Sequence, residues 1–114
     1  MPRHTHEETG IAADNTDTDR IGVAGEAFPE ASVEIVTVLV EQTSNSDAEW
    51  NIELNGNAVF SSEQTVSAAD TVERFTPDQN RYTSDETAAI EINKSNAAAS
   101  ADSLNVTVVT DDGR

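Results

Sequence analysis

Residues 49–54, EWNIEL, alternate between polar and large apolar side chains and run straight into Asn55-Gly56. Period-two alternation marks a strand with one face on a core and the other on water. Asn-Gly is the pair best suited to a two-residue type I′ turn, because both of its central residues need positive φ. The stretch therefore predicts a strand with Trp50, Ile52 and Leu54 inward and Asn51 and Glu53 outward. It should turn back into NAVFSSE, with Val59 or Phe60 on the core. Such a hairpin is marginal alone and needs further strands over its apolar face.

Those strands are legible on both sides of it. In SVEIVTVLVEQ, Val33, Ile35 and Leu39 fall on one face and Val36, Val38 and Val40 on the other, which predicts a central strand covered on both sides. DTVERFTPDQ predicts a short strand from Thr71 to Phe75, closed by Pro77, which has no N–H for a ladder. TAAIEINKS sets Ile90 and Ile92 against Glu91 and Asn93, and SLNVTVVTD repeats the device with Leu104, Val106 and Val108. TSNSD and NAAASAD supply small polar turns. QTVSAADTVE, the nearest approach to a helix, is dominated by Val, Thr and Ser at poor helical spacing. Six or seven strands punctuated by turns predict an all-β, antiparallel β-sandwich over residues 32–114, with jelly-roll and Ig-like connections both open.

Residues 1–31 carry few large apolar side chains and no period, so they are expected to form an extended N-terminal arm. Within it Ile21, Val23 and Phe28 stand as isolated apolar points between glycines, either tucked onto the protein's own domain or docked on a neighbour. We assign them as partner-docking residues.

Acidic side chains number 22 against six basic ones, for a formal charge of −16, and Lys94 is the only lysine. Nucleic acid and anionic lipid both require clustered Lys and Arg, so neither is expected as a partner. Dispersed like charge repels itself unless salt screens it, and the Debye length falls to about 3 Å at 1 M salt. In composition the chain resembles the proteins of salt-accumulating archaea, the alternative being an acidic protein of a mesophile. It has no cysteine, hence no disulfide and no thiolate metal site. Its longest apolar run, IVTVLV, is far short of the roughly 20 residues of a membrane span, and no secretory signal is visible, so a soluble protein is expected.

Little in the chain looks catalytic. His4 and His6 lie in the expected arm, away from any packed surroundings that would fix a general base beside a nucleophile, and read as a solvated tail. His4-Thr5-His6 also has the donors to catch a transition metal. DNTDTDR, residues 14–20, offers three carboxylates but places Asp19 and Gly25 where a calcium loop needs Gly and Glu. DQNRYTSDE, residues 78–86, is a polar loop whose Asp78, Asn80 and Tyr82 form a possible ligand site for a cation or a sugar. Asn93-Lys94-Ser95 and Asn105-Val106-Thr107 match the glycosylation pattern, which is common by chance in a chain rich in Asn, Ser and Thr. No cofactor and no metal is expected.

The succession LNGNAVFSS, VSAADTVERFTPDQNRY, AIEIN and SLNVTVVTDDG resembles the small β-sandwich proteins that tailed and other viruses of haloarchaea place on their virions, over roughly residues 32–114. The resemblance implies a non-enzymatic virion structural protein, such as a capsid decoration, turret or tail-associated subunit, anchored by its arm. Its partners would be copies of itself and other virion proteins, major capsid or tail. It implies a location in the virion, assembled in the host cytoplasm. The alternative is a receptor- or carbohydrate-binding surface module, a spike or cell-surface domain using the 78–86 loop.

Overall fold

The structure, a computed structural model, describes residues 3–24, 33–79, 82–83, 87–97 and 102–111. Among them are nine strands and no helix: β1 (Arg3–Ala12), β2 (Thr18–Ala24), β3 (Val33–Gln42), β4 (Glu49–Leu54), β5 (Asn57–Ala58), β6 (Glu73–Phe75), β7 (Tyr82–Thr83), β8 (Ala88–Asn96) and β9 (Ser103–Asp111).

The pairing starts at the Asn55-Gly56 turn and works outward. Both turn residues have positive φ, 52° and 84°, as a type I′ turn requires, and they join β4 to β5 antiparallel. Around that hairpin β3 pairs β6 and β7, β2 pairs β8, and β1 pairs β9, all antiparallel. The chain is thus one nested ribbon with its tip at Asn55-Gly56. Wrapping the ribbon adds the pairs β3–β9 and β4–β8 and closes two sheets, β1-β9-β3-β6 with β7 beside β3, and β2-β8-β4-β5. This strand order is that of a jelly roll, so the sandwich expectation holds and its connectivity is resolved.

Trp50, Ile52 and Leu54 of β4, Ile90 and Ile92 of β8, and Leu104, Val106 and Val108 of β9 meet between the sheets, buried as their alternation predicts. At one end Trp50 stands edge-on to Phe60 and Phe75, with centroids 5.8 and 4.8 Å away, and joins β4 of one sheet to β6 of the other. Val59 and Phe60 are both buried.

Four local expectations give way. Residues 3–24 of the expected arm are not a tether but β1 and β2, one in each sheet, with Ile11, Ala13 and Ile21 in the core. The division at residue 31 therefore does not separate arm from body. A polar strand can join a sheet when its neighbour supplies the hydrogen bonds, and those neighbours lie at the far end of the chain. In β3 a register shift between Ile35 and Thr37 reverses the alternation, so Val38 and Val40 join Val33 and Ile35 in the core and Leu39 turns outward. Val59 N still donates to Ile52 O at 2.9 Å, and beyond it the chain leaves the ladder, where Asn51, expected outward, is buried and its side chain stands in for the partner strand. Its Nδ2 donates to Phe60 O at 3.0 Å and its Oδ1 accepts from Phe60 N at 3.3 Å. The strand expected at Thr71–Phe75 begins only at Glu73.

Candidate functional site

Inward alternation on β8 continues past Ile90 and Ile92 to Lys94, whose side chain is fully buried where the β1–β2 corner crosses between the sheets. Its ammonium donates to Ala12 O at 2.5 Å, Asn15 Oδ1 at 2.8 Å and Asp19 Oδ2 at 2.7 Å. Asn15 Oδ1 also accepts from Asp17 N, 3.1 Å away, which sets the turn. The DNTDTDR stretch therefore does wrap a cation, but the cation is the chain's own ammonium. Among the described residues no group of three His, Asp or Glu side chains could hold a metal ion.

The two histidines are part of β1 and not of a solvated tail. His6 Nε2 lies 3.3 Å from Thr110 Oγ1 on β9, and its ring covers Gly22 of β2 so closely that a Cβ there would sit 2.8 Å from Nδ1. The glycine is what lets the edges of the two sheets approach.

Two more polar clusters fasten loops. Buried Asp102 accepts from Asn45 Nδ2 at 2.8 Å and from Gln42 Nε2 at 3.2 Å, while Gln42 Oε1 accepts from Ala48 N at 3.0 Å. Asp78, from the expected ligand loop, is engaged by Ser61: its carboxylate accepts from the Ser61 hydroxyl and from Ser61 N at 2.8 Å. Those side-chain and backbone hydrogen bonds hold the Asp78 carboxyl below its ordinary value of 3.8. Asn80 lies outside the described residues, as does the side chain of Tyr82, whose backbone pairs with Glu34. Of the three expected docking residues, Ile21 is buried in the protein's own core, Val23 is half-buried opposite Ala89, and Phe28 lies outside the described residues.

What remains on offer is surface. The outward positions at the centre of the β1-β9-β3-β6 sheet are Thr107 and Val109 of β9 with Thr37 and Leu39 of β3, all half-buried and all uncharged. The outward face of the other sheet is polar, with Arg20, Glu91 and Glu53 aligned across β2, β8 and β4. In a chain of charge −16 the neutral patch is conspicuous.

Sequence reasoning missed Lys94, Gln42 and Asp102. Period two places Lys94 inward after Ile90 and Ile92, so its burial had a signal. Gln42 had none, because its inward position depends on the β3 bulge.

Neither a protein-family model nor a curated protein sequence matches the chain. In fold it is similar to a chain of the acid-stable capsid of the Helicobacter pylori bacteriophage KHP30, with a TM-score of 0.59 and 13% identity over 95% of this chain and 86% of that one. It is similar also to a chain of the capsid asymmetric unit of cyanophage Pam1, with a TM-score of 0.58 and 18% identity over 96% of this chain and 82% of that one. At these identities the likeness is one of fold, and it runs the length of the jelly roll.

Proposed function

We propose that the protein is a non-enzymatic structural subunit of a virion, present in many copies on the outside of a capsid as a decoration or turret protein, in a virus of haloarchaea. The observation that carries this reading is the coverage: both phage capsid chains share the jelly roll over at least 95% of this chain, and each is itself little longer. A body of this size suits an accessory subunit seated on a shell. The polar clusters described at the Lys94 corner, at Asp102 and at Asp78 hold the fold together, which fits a part whose work is to be rigid and to be covered.

The haloarchaeal setting is supported by charge and by where the lysine sits. Lys94 is the only lysine and it is buried, so the surface carries no lysine at all and its positive charge is all arginine. With β1 and β2 built into the body, docking falls to its faces and to Phe28, which we keep as a contact onto a neighbour. A sugar- or receptor-binding module is the second reading, since jelly rolls also serve as lectins. Glycan binding lost on Tyr82→Ala would favour it.

The test is mass spectrometry and immunogold labelling of gradient-purified particles from the source virus. The reading expects the protein in stoichiometric amount on the particle exterior, and loosened assembly below about 0.5 M salt as screening weakens. Its absence from particles while abundant in the infected lysate would overturn it.

A further inference from the structure

We propose that the outer face of the β1-β9-β3-β6 sheet binds the same face of a second copy of this chain, about a two-fold axis running parallel to the strands between β9 and β3. The strand register carries the argument. Glu7 pairs with Thr107, Thr107 with Leu39, and Leu39 with Arg74, so one row across four strands reads acid, neutral, apolar, base. Glu7 and Arg74 are both exposed and stand three strand spacings apart, about 14 Å, which holds them away from each other within one subunit.

A two-fold axis along the strands reverses the order of the strands in the facing sheet. It lays β1 over β6 and β9 over β3, so Glu7 meets Arg74 of the partner subunit and Arg74 meets Glu7 of the partner subunit. Leu39 then lies over Thr107 of the partner subunit, twice by symmetry. The neighbouring row, Thr5, Val109 and Thr37, is neutral throughout and adds apolar contact. An isologous contact needs a surface complementary to itself, and this row is. An unrelated partner would have no reason to match both ends.

At the sheet end where Arg3, Asp111 and Glu34 are aligned, Asp111 is buried within its own subunit and Glu34 is half-buried, so that row adds little to the contact. Two facing sheets cross at about 30°, which keeps the centre in contact and splays the ends. The net charge of −16 on each copy makes the pairing depend on salt. Strand spacing and length give roughly 500 Å2 per subunit and about 1,000 Å2 in all, the lower limit for a specific interface, so the isolated dimer is weak. The inference goes beyond the virion reading and does not need it: it stands on the register, and a monomer would leave that reading in place.

Sedimentation equilibrium over a concentration series, at one fixed salt concentration, tests it. The wild-type protein should dimerise, and Glu7→Arg or Arg74→Glu alone should weaken the dimer by roughly tenfold, since each turns two attractive contacts into two repulsive ones. The double reversal Glu7→Arg/Arg74→Glu should restore it. An equimolar mixture of the two single variants should give the heterodimer. Leu39→Asp should abolish association in a chain that stays folded by circular dichroism. A wild-type protein that is monomeric at every concentration, single reversals that associate like wild type, or a mixture with no heterodimer would each overturn the proposal.

Discussion

Replacing Lys94 by methionine keeps the length of the side chain and removes its charge, which isolates the worth of the buried ammonium. Three acceptors lose their donor. Asn15 Oδ1 keeps the Asp17 N–H, and Asp19, whose side chain is 43% exposed, turns to water, so neither is left stranded. Hydrogen bonds to a charged group are worth about 1.5–3 kcal/mol each, but desolvating the ammonium costs several kcal/mol, and methionine escapes that cost. The balance is a loss of about 2–3 kcal/mol out of the 5–15 typical of a domain, or roughly 10 °C in Tm. Trp50, the only tryptophan and fully buried, reports unfolding by its fluorescence in a guanidinium titration. Hydrogen exchange should place the damage in β1 and the β1–β2 corner, leaving the β4–β8 ladder protected. A double variant with Asp19→Asn should be less destabilised than the sum of the singles, with a coupling of about 1 kcal/mol or more. A Lys94→Met protein as stable as wild type would refute the reasoning, because it would mean that the desolvation cost cancels the three bonds.

Other perturbations probe the remaining fastenings. Gly22→Ala drives a Cβ to 2.8 Å from His6 Nδ1 and 3.0 Å from its Cβ, so it should cost about 1–3 kcal/mol by overpacking; His6→Ala in the same chain should recover part of that in thermal melts. The Asp78 carboxyl is held below 3.8, so its contribution is full above that pH and is lost as pH falls through the lower folded value. Acid unfolding of the loop around Ser61 should therefore begin only below about pH 4, and Asp78→Asn should remove that part of the pH dependence in an acid titration followed by NMR. Deleting residues 1–24 strips β1 and β2 and bares the edges of β9 and β8, so the shortened chain should aggregate on expression. A soluble, cooperatively folding product would show that the two strands are dispensable.

The parts of the fold that could be read from sequence are those in which the chemistry is local. The Asn55-Gly56 turn is a property of two adjacent residues, and the inward faces of β4, β8 and β9 follow from alternation within each strand. β1 could not be read in the same way. RHTHEETGIA has a single large apolar residue, and what makes it a strand is the ladder it shares with β9 at the opposite end of the chain. The outer face of β3 was misjudged for a different reason, since one inserted residue between Ile35 and Thr37 exchanges its two faces and leaves no mark in composition. Of the expected site residues, Asp78 proved to fasten a loop and Ile21 to belong to the core, because an isolated polar or apolar residue carries no record of what it touches.

The nested pairing also explains why the weakest strands by composition carry the strongest polar fastening. Closing the β4–β5 hairpin costs little loop entropy, and each enclosing pair spans a longer stretch of chain, with β1–β9 spanning the longest. The outermost pairs must meet the largest closure cost, yet β1 buries only Ile11 of its large apolar residues and β2 only Ile21. Hydrophobic burial in these strands is correspondingly small. The difference is made up at their shared corner, where one ammonium from β8 grips a backbone carbonyl next to Ala13, a turn residue and a carboxylate of β2 at once. In a chain of charge −16 that is, among the described residues, the one place where a Lys or Arg charge is buried in protein, and it lies where the ribbon is hardest to close.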